Sequence, residues 1–346
     1  MTPARPLAIT LGDPAGIGGE IIAKAFRDAP RATAGCFVAG DLAHLRRAAA
    51  VVTGDAVPLP VALIASPAEV ARLPPRCIPL LQVGSPQALV PWGQVDARAG
   101  RIAADAVTWA AQAALRGEIA GLVTAPLHKE ALAAAGVPYP GHTELLQAQA
   151  AAFTGQPLAQ LPVRMMLASD ELRTVLVSIH LSLREAVEAV TRERVLQTLR
   201  ITHRALSGAL GRAPRIAVAG LNPHAGEGGL FGREEIESIA PAVRDARAEG
   251  LDALGPLAPD TVFMRARATP GRPGEFDVVV AMYHDQGLIP VKYLGVDKGV
   301  NVTLGLPLVR TSPDHGTAFD IAGTGRADPS SLLEAIRVAR QLIVPA

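Results

Sequence analysis

The sequence contains few of the features that would indicate a secreted, membrane or nucleic-acid-binding protein. Only 2 of its 346 residues are cysteines, 3% are aromatic, and 33 Lys and Arg stand against 32 Asp and Glu. A formal net charge of +1 gives no overall attraction to nucleic acid or to an anionic membrane, so we expect neither partner. No apolar run reaches the ~18 residues of a membrane-spanning helix, and the amino end has neither the apolar region nor the cleavage site of a signal peptide. We expect a cytoplasmic protein in which Cys36 and Cys77 are reduced thiols rather than a disulfide.

Short apolar runs alternate with alanine-rich helical segments along the whole chain. The expected strands are Leu7–Leu11, Cys36–Ala39, Val61–Ile64, Gly121–Val123, Val175–Ile179, Ile216–Ala219 and Val278–Met282. The expected helices are Arg98–Leu115, Thr143–Phe153, Arg192–Leu206, Arg233–Glu249 and Ser331–Leu342. This alternation predicts an α/β fold with a mostly parallel sheet, and the length predicts two domains. We place the first α/β/α domain at 1–140 plus 306–346 and the second at 141–305, around a central cleft.

Three histidines each follow a run of branched apolar residues. His180 follows Val-Leu-Val-Ser-Ile, His224 follows Ile-Ala-Val-Ala-Gly-Leu-Asn-Pro, and His284 follows Val-Val-Val-Ala-Met-Tyr. Such runs are typical of buried parallel strands, and ligands of open α/β sheets bind beyond the carboxyl ends of those strands. Three imidazoles at one sheet edge form a ligand set for a divalent cation and leave positions open for substrate. The alternative for each histidine is an ordinary packed or exposed side chain.

Several basic residues indicate an anionic substrate. In Gly141-His142-Thr143-Glu144, Thr143 is the expected N-cap of a helix, and the free amides of a helix start attract anions. Lys292 and Arg310 each follow apolar residues, which favours a specific anionic partner over a solvated surface role. A phosphate or carboxylate group of the substrate fits this pattern. The alternative for Thr143 is an ordinary capped helix.

A small, glycine-containing loop at 314–325 is the candidate nucleotide site. An aspartate in such a loop can accept hydrogen bonds from both hydroxyls of an adenosine ribose, which favours NAD over NADP. The alternative is simple turn chemistry. The earlier turn Gly12–Gly18 does not match G-x-G-x-x-G, and we interpret it as a tight turn lining the cleft. Asp260 and Asp285 are the candidate carboxylates for orienting a metal-bound imidazole or accepting a proton; the alternative for each is a turn or a cap.

The longer motifs resemble those of the 4-hydroxythreonine-4-phosphate dehydrogenase family of pyridoxal phosphate biosynthesis, nearly end to end. The similar segments are Asp13–Gly18, Gly141–Glu144, Leu221–Gly229, Ala281–Gly287 and Asp314–Thr317. The resemblance implies an isocitrate/isopropylmalate dehydrogenase-like fold and a homodimer that shares its active site. It implies a divalent metal (Zn, Mg, Co or Mn) on His180, His224 and His284, with His284 from the neighbouring subunit. It implies substrate binding by His142, Thr143, Lys292, Asn301 and Arg310, and NAD binding by His315, Gly316, Thr317, Ala318 and Asp320.

The resemblance also implies a reaction. The family oxidises and decarboxylates 4-phosphohydroxy-L-threonine to 3-amino-2-oxopropyl phosphate with NAD, in pyridoxine 5'-phosphate biosynthesis. Close relatives oxidise phosphorylated erythronate or threonate instead, and these are the alternative substrates here. Two other classes stay open: a metal-dependent lyase or hydrolase that uses no nucleotide, and a binder of a small anion that consumes nothing. The loop at 314–325 favours the dehydrogenase over both.

Overall fold

The computed structural model describes residues 5–295 and 299–343, which form two compact units. The first unit contains the chain up to Pro162 together with Leu306–Ile343, and the second contains Val163–Gly305. We expected the first border after residue 140. It lies after Pro162 instead, because the helix at His142–Thr154 packs against the helix at Ala97–Leu115. Residues 1–4, 296–298 and 344–346 of the expected domains lie outside the described residues.

The strands are numbered along the chain. Those of the first unit are β1 Leu7–Thr10, β2 Cys36–Gly40, β3 Val61–Ile64, β4 Ile78–Gln82, β5 Gly121–Thr124 and β12 Arg310–Pro313. Those of the second unit are β6 Arg164–Ala168, β7 Arg173–Leu176, β8 Ile216–Ala219, β9 Ala253–Leu257, β10 Val278–Ala281 and β11 Val300–Leu304. The first set lies in the order β3-β4-β2-β1-β5-β12 and is parallel throughout. The second lies in the order β11-β6-β7-β10-β8-β9, with β6 antiparallel to both of its neighbours and the rest parallel.

The helices lie in the connections between these strands. The first unit contains α1 Gly18–Asp28, α2 Leu42–Thr53, α3 Ala97–Leu115, α4 Lys129–Ala134, α5 His142–Thr154 and α11 Ser330–Leu342. The second contains α6 Leu183–Glu188, α7 Arg192–Leu210, α8 Ala240–Ala248, α9 Val262–Ala266 and α10 His284–Tyr293. Short 3-10 segments lie at Pro67–Arg72 and Leu158–Gln160, Pro223–Gly229 is a turn with left-handed residues inside it, and a π-helical turn at Glu235–Ile239 leads into α8.

The prediction of an α/β fold with a mostly parallel sheet is confirmed. Every expected strand is present, although the one expected at Val175–Ile179 lies at Arg173–Leu176. Strands β4, β6, β9, β11 and β12 were not expected. Strand β12 reads Arg-Thr-Ser-Pro and β9 contains Gly-Pro, so neither carries the apolar pattern on which strand prediction depends, yet all four residues of β12 are buried.

Each unit has its own apolar core between sheet and helices. In the first unit α3 packs over β1, β2 and β5, and in the second α10 packs against β7 and β10. Cys36 is buried, Cys77 is partly exposed, and both are free thiols, as expected. Among the described residues, no helix has the length and apolar character needed to cross a membrane.

Candidate active site

The three histidines singled out in the sequence follow three neighbouring strands of the second unit. Strand β10 lies between β7 and β8 and is parallel to both. His180 comes after β7, His224 after β8, and His284 begins α10 directly after β10. Because the carboxyl ends of parallel strands meet at one edge, the topology delivers all three side chains to the same edge of the sheet.

Two of these histidines have a backbone conformation that residues other than glycine rarely adopt. His180 has φ 48° and His224 has φ 54°, both in the left-handed region. Ala225 and Glu227, at φ 54° and 42°, continue the same strained segment. Such conformations persist only where surrounding structure enforces them, and they cluster at functional sites.

The buried carboxylate of Glu235 holds the loop that carries His224. Its Oε1 accepts hydrogen bonds from the backbone amides of Leu221 and Asn222, both at 2.7 Å, and its Oε2 accepts one from the Asn222 side chain at 3.0 Å. Sequence analysis did not identify Glu235. Nothing in the sequence around it could have identified it, because the neighbouring Ile236 is exposed and an acidic residue in a helical segment is usually solvated.

Gln286 connects the segments after β8 and β10. Its side-chain oxygen accepts a hydrogen bond from the amide of Met282, and its amide group donates to the carbonyl of Gly220, both at 2.7 Å. The side chain therefore ties the segment before His284 to the one before His224. Gln286 was also missed in the sequence, where it lay inside a motif that we interpreted only through its histidine and aspartate.

The structure brings His180 and His284 together and leaves His224 in a separate cavity. The ring centroids of His180 and His284 are 5.8 Å apart, and both line a cavity of about 430 Å³. His224 lines a neighbouring cavity of about 770 Å³ together with both candidate carboxylates, Asp260 and Asp285. Asp285 contributes to both cavities and so lies between the two groups.

The imidazoles of His284 and His224 each face a carboxylate. His284 Nδ1 lies 2.7 Å from Asp285 Oδ1, and His224 Nδ1 lies 3.1 Å from Glu227 Oε2. A carboxylate accepts only, so in the neutral ring Nδ1 carries the proton and Nε2 keeps its lone pair. In metal sites, a carboxylate that accepts a hydrogen bond from one ring nitrogen in this way orients the histidine, while the other ring nitrogen binds the metal. The donor chemistry therefore fits a divalent metal, although within the described residues of one chain no three His, Cys, Asp or Glu side chains come close enough to hold one.

Large apolar side chains surround the two cavities and remain exposed. Leu183 and Ile289 are each 63% exposed and Met264 is 71% exposed, and all three line one or both cavities. Tyr293, at the end of the same helix as Ile289, is 90% exposed. A cluster of this kind beside a polar site is typical of a protein-protein contact surface.

The candidate anion-binding residues are divided between the units. Arg310 is buried, and its Nε and Nη2 donate to Thr124 Oγ1 at 3.1 and 2.8 Å. Burial lowers the pKa of the Arg310 guanidinium to about 10, so it still carries its charge at neutral pH. Lys292, in the last turn of α10, and the half-buried Asn301, on β11, belong to the second unit.

His142 begins α5 in the first unit. Burial, and then the nearby Arg310 charge, hold the pKa of His142 well below its ordinary value, so the ring is neutral. Its Nε2 is buried without a hydrogen-bond partner in the described part of the chain. The expectation that Thr143 is the N-cap was wrong: the helix starts one residue earlier, and the cap position is occupied by Gly141, which is extended and has no side chain to accept from the first amides. These amides are thereby left available to an anion.

The candidate nucleotide loop combines buried anchors with an exposed carboxylate. Asp320 is exposed and His315 partly so, whereas Thr317 is buried, and its carbonyl accepts a hydrogen bond from Ile17 at 3.0 Å. Ala318 has φ 43°, another left-handed residue. A side chain at Gly316 would meet nothing within 4 Å, so the backbone there is open to an approaching ligand. These features fit the ribose-binding role expected of the loop.

Asp13, in the tight turn after β1, is the most perturbed carboxyl near this loop. It is completely buried, its Oδ1 accepts a hydrogen bond from Ala15 at 2.8 Å, and its Oδ2 has no partner among the described residues. Burial raises the pKa of Asp13 to about 6. His128, whose charge opposes that shift, stacks on Phe319 of the nucleotide loop with ring centroids 4.7 Å apart. Neither residue was assigned a role from the sequence.

These motifs and this fold match one known family. The sequence profile described as "Pyridoxal phosphate biosynthetic protein PdxA" matches residues 32–339. The chain belongs to the PdxA family. The 4-hydroxythreonine-4-phosphate dehydrogenase of Beijerinckia indica is 53% identical over 342 residues, which cover 99% of this chain and 96% of that protein. The D-threonate 4-phosphate dehydrogenase of Salmonella typhimurium is 46% identical, covering 98% of this chain and 99% of that protein.

A solved structure from the PdxA family shares the fold over its whole length. The 4-hydroxythreonine-4-phosphate dehydrogenase of Klebsiella pneumoniae superimposes with a TM-score of 0.87 at 43% identity, covering 99% of both chains. The family expected from the sequence motifs is confirmed, and the chain is an oxidoreductase of the dehydrogenase class.

Proposed function

We propose that this PdxA-family chain oxidises and decarboxylates 4-phosphohydroxy-L-threonine to 3-amino-2-oxopropyl phosphate, with NAD as hydride acceptor and a divalent metal at the histidine site. The main support for the proposal is that three adjacent parallel strands end at the same edge of the sheet, where they are followed by His180, His224 and His284. The high identity to relatives named for this substrate supports it.

The histidines would hold the metal through their free nitrogens, with Asp285 and Glu227 orienting two of the rings. When bound, a divalent cation supplies Lewis acidity that lowers the pKa of a substrate hydroxyl and stabilises negative charge beside a departing carboxylate. Asp260 and Asp285 are the proposed proton acceptors, because both are exposed carboxylates in the cavity that His224 lines.

We propose that the metal set is completed by a homodimer. Among the described residues of one chain, no three His, Cys, Asp or Glu side chains come close enough to hold a metal, and exposed apolar side chains surround both cavities. Association through this surface would bury the apolar cluster and supply the third ligand from a second copy. In the proposed dimer, as the family resemblance implies, each metal is held by His180 and His224 of one chain together with His284 of the partner subunit, and the approach of His180 to His284 within one chain is not the ligand set.

The substrate phosphate is the proposed partner of the buried Arg310, the neutral His142 and the uncapped amides at Thr143, with Lys292 and Asn301 as further substrate ligands. Arg310 is suited to this role because Thr124 fixes its guanidinium, so little side-chain freedom is lost when an anion binds. A neutral His142 can donate or accept a hydrogen bond without adding a second buried charge.

The loop of His315, Gly316, Thr317, Ala318 and Asp320 is the proposed NAD site, with Asp320 accepting from the ribose hydroxyls. A 2′-phosphate would place two negative groups together there, so we propose a preference for NAD over NADP.

The second candidate substrate is D-threonate 4-phosphate, because relatives 46% identical to this chain are named for it. The deciding experiment measures NADH formation with 4-phosphohydroxy-L-threonine, threonate 4-phosphate and erythronate 4-phosphate, each with added Zn²⁺, Mg²⁺, Co²⁺ or Mn²⁺ and with a chelator. The proposal predicts the highest kcat/KM for 4-phosphohydroxy-L-threonine and loss of activity on chelation. A higher kcat/KM for threonate 4-phosphate would show that threonate 4-phosphate is the preferred substrate. Full activity after chelation would show that the reaction does not need a metal.

A further inference from the structure

The far end of the nucleotide loop is held by a buried carboxylate on the first helix of the chain. Glu20, in the first turn of α1, has no exposed surface. Its Oε1 accepts a hydrogen bond from the amide of Gly323 at 2.5 Å, and its Oε2 accepts one from the amide of Gly325 at 2.8 Å. The two oxygens of one carboxylate thus fix two backbone positions of the loop at 314–325.

The same helix contacts the loop at two further points. One turn after Glu20, the Lys24 ammonium donates to the carbonyls of Gly325 and Ala327, both at 2.6 Å. At the other end, the amide of Ile17, which caps α1, donates to the carbonyl of Thr317 at 3.0 Å. Residues 318–322, which include the exposed Asp320, therefore span two points that are both attached to α1.

The packing around these contacts leaves the loop little freedom to shift. A side chain on Gly16 would lie 2.8 Å from the Thr317 carbonyl oxygen, and one on Gly323, at φ +79°, would lie 2.6 Å from the Trp92 ring. A side chain on Gly93, at φ +66°, would lie 2.7 Å from the Phe319 carbonyl oxygen. The loop backbone is thus pressed against its neighbours at three positions where only glycine fits.

We infer that Glu20 is a positioning residue for the nucleotide site, with Lys24 as its partner: together they hold the loop so that Asp320 is presented in the conformation that binds the adenosine ribose. This inference rests on the proposed NAD-dependent function. Neither side chain touches the nucleotide; each acts through the loop backbone. A carboxylate suits position 20, because both loop groups are donors and each of its two oxygens accepts one of them.

The substitution Glu20→Gln tests this requirement with almost no change in volume. The new side-chain amide nitrogen would face one of the two backbone N–H groups of the loop, so two buried donors would meet without an acceptor. The loop would then be less ordered in the free protein, and ordering it on NAD binding would cost part of the binding free energy. We expect the Kd for NAD, measured by calorimetry without substrate, to rise about tenfold, while kcat at saturating NAD stays within about twofold of the wild-type value. Lys24→Met, at a half-buried position, should raise the Kd in the same direction.

Hydrogen exchange of the free protein tests the anchoring without NAD. In the wild type the amides of Gly323 and Gly325 should exchange slowly, and Glu20→Gln should accelerate both. Asp277→Asn is the control, because Asp277 is a largely buried carboxylate of the other unit that also accepts a backbone amide, from Arg215 at 2.7 Å. It should change neither the exchange of the loop nor the Kd for NAD.

The outcomes separate this inference from the proposed function. Unchanged loop exchange and unchanged Kd in a folded Glu20→Gln variant would overturn the inference. If that variant does not fold, an unchanged Kd and exchange in Lys24→Met would overturn it. A wild-type protein that binds no NAD would refute the proposed cofactor, whereas the exchange comparison would still decide whether Glu20 anchors the loop.

Discussion

Replacing the buried Asp13 by asparagine should stabilise the first unit at neutral pH. The folded protein holds this carboxyl without exposure, with a hydrogen bond to only one oxygen, and burial raises its pKa from 3.8 to about 6. A change of that size corresponds to ~3 kcal/mol in favour of the protonated form. Asparagine keeps an oxygen for the Ala15 amide and removes the charge, so Asp13→Asn should gain up to ~3 kcal/mol above pH 6.

The sign of the pH dependence follows from proton binding. Between about pH 4 and pH 6 the folded protein binds a proton at Asp13 that the unfolded chain has lost, so the stability of the wild type relative to the variant falls as pH rises through this window. Below about pH 4 both states are protonated and the difference should level off. Urea unfolding followed by tryptophan fluorescence measures this directly, because Trp92 and Trp109 both lie in the first unit.

The matched control is Asp41→Asn, in the same unit. Burial acts to raise the pKa of Asp41, but hydrogen bonds from His44, Gln87 and Gln82 outweigh it and hold the pKa below its ordinary value. The control should therefore lose stability at neutral pH and approach the wild type as the pH falls. An Asp13→Asn variant that is less stable than the wild type at pH 8, or whose stability difference does not change with pH, would refute the reasoning about Asp13.

Three further changes test the site. His224→Ala should abolish turnover at saturating NAD with unchanged circular dichroism, and persisting turnover would remove His224 from the metal set. Arg310→Lys cannot reproduce both hydrogen bonds to Thr124, so the substrate KM should rise ~10–100-fold while the KM for NAD stays within about twofold; equal effects on both would contradict an anion-binding role. Glu235→Gln weakens the support of the His224 loop by ~1–3 kcal/mol and should raise the Kd for the metal; unchanged metal affinity would show that the loop keeps its shape without it.

The sequence was informative wherever a buried parallel strand ends in a polar residue. The apolar runs before His180, His224 and His284 predicted three strands, and these strands are neighbours in the sheet. Apolar periodicity reports which segments are buried, and parallel topology then brings their ends together. Strand β12 lacks this signal, because its polar residues are buried through specific hydrogen bonds such as those between Arg310 and Thr124.

The parts that sequence analysis missed depend on long-range contacts. Glu20 and Glu235 are acidic residues in helical segments, and nothing local distinguishes them from solvated side chains. Glu20 accepts hydrogen bonds from backbone amides of a loop near the other end of the chain, and Glu235 accepts them from a loop that precedes it. Only the folded structure brings those donors to the two carboxylates. The left-handed conformations of His180 and His224 are equally invisible in the sequence, since local preference argues against them.

The most direct test of the shared metal site mixes two inactive variants, His224→Ala and His284→Ala, after dissociation and reassociation. If each site takes histidines from both copies, every mixed dimer contains one site with all its histidines and one that lacks two of them. Equal mixing should then restore about a quarter of the wild-type NADH formation per chain. A site built within a single chain would leave every mixture inactive, and that result, with both variants folded and dimeric, would contradict the account.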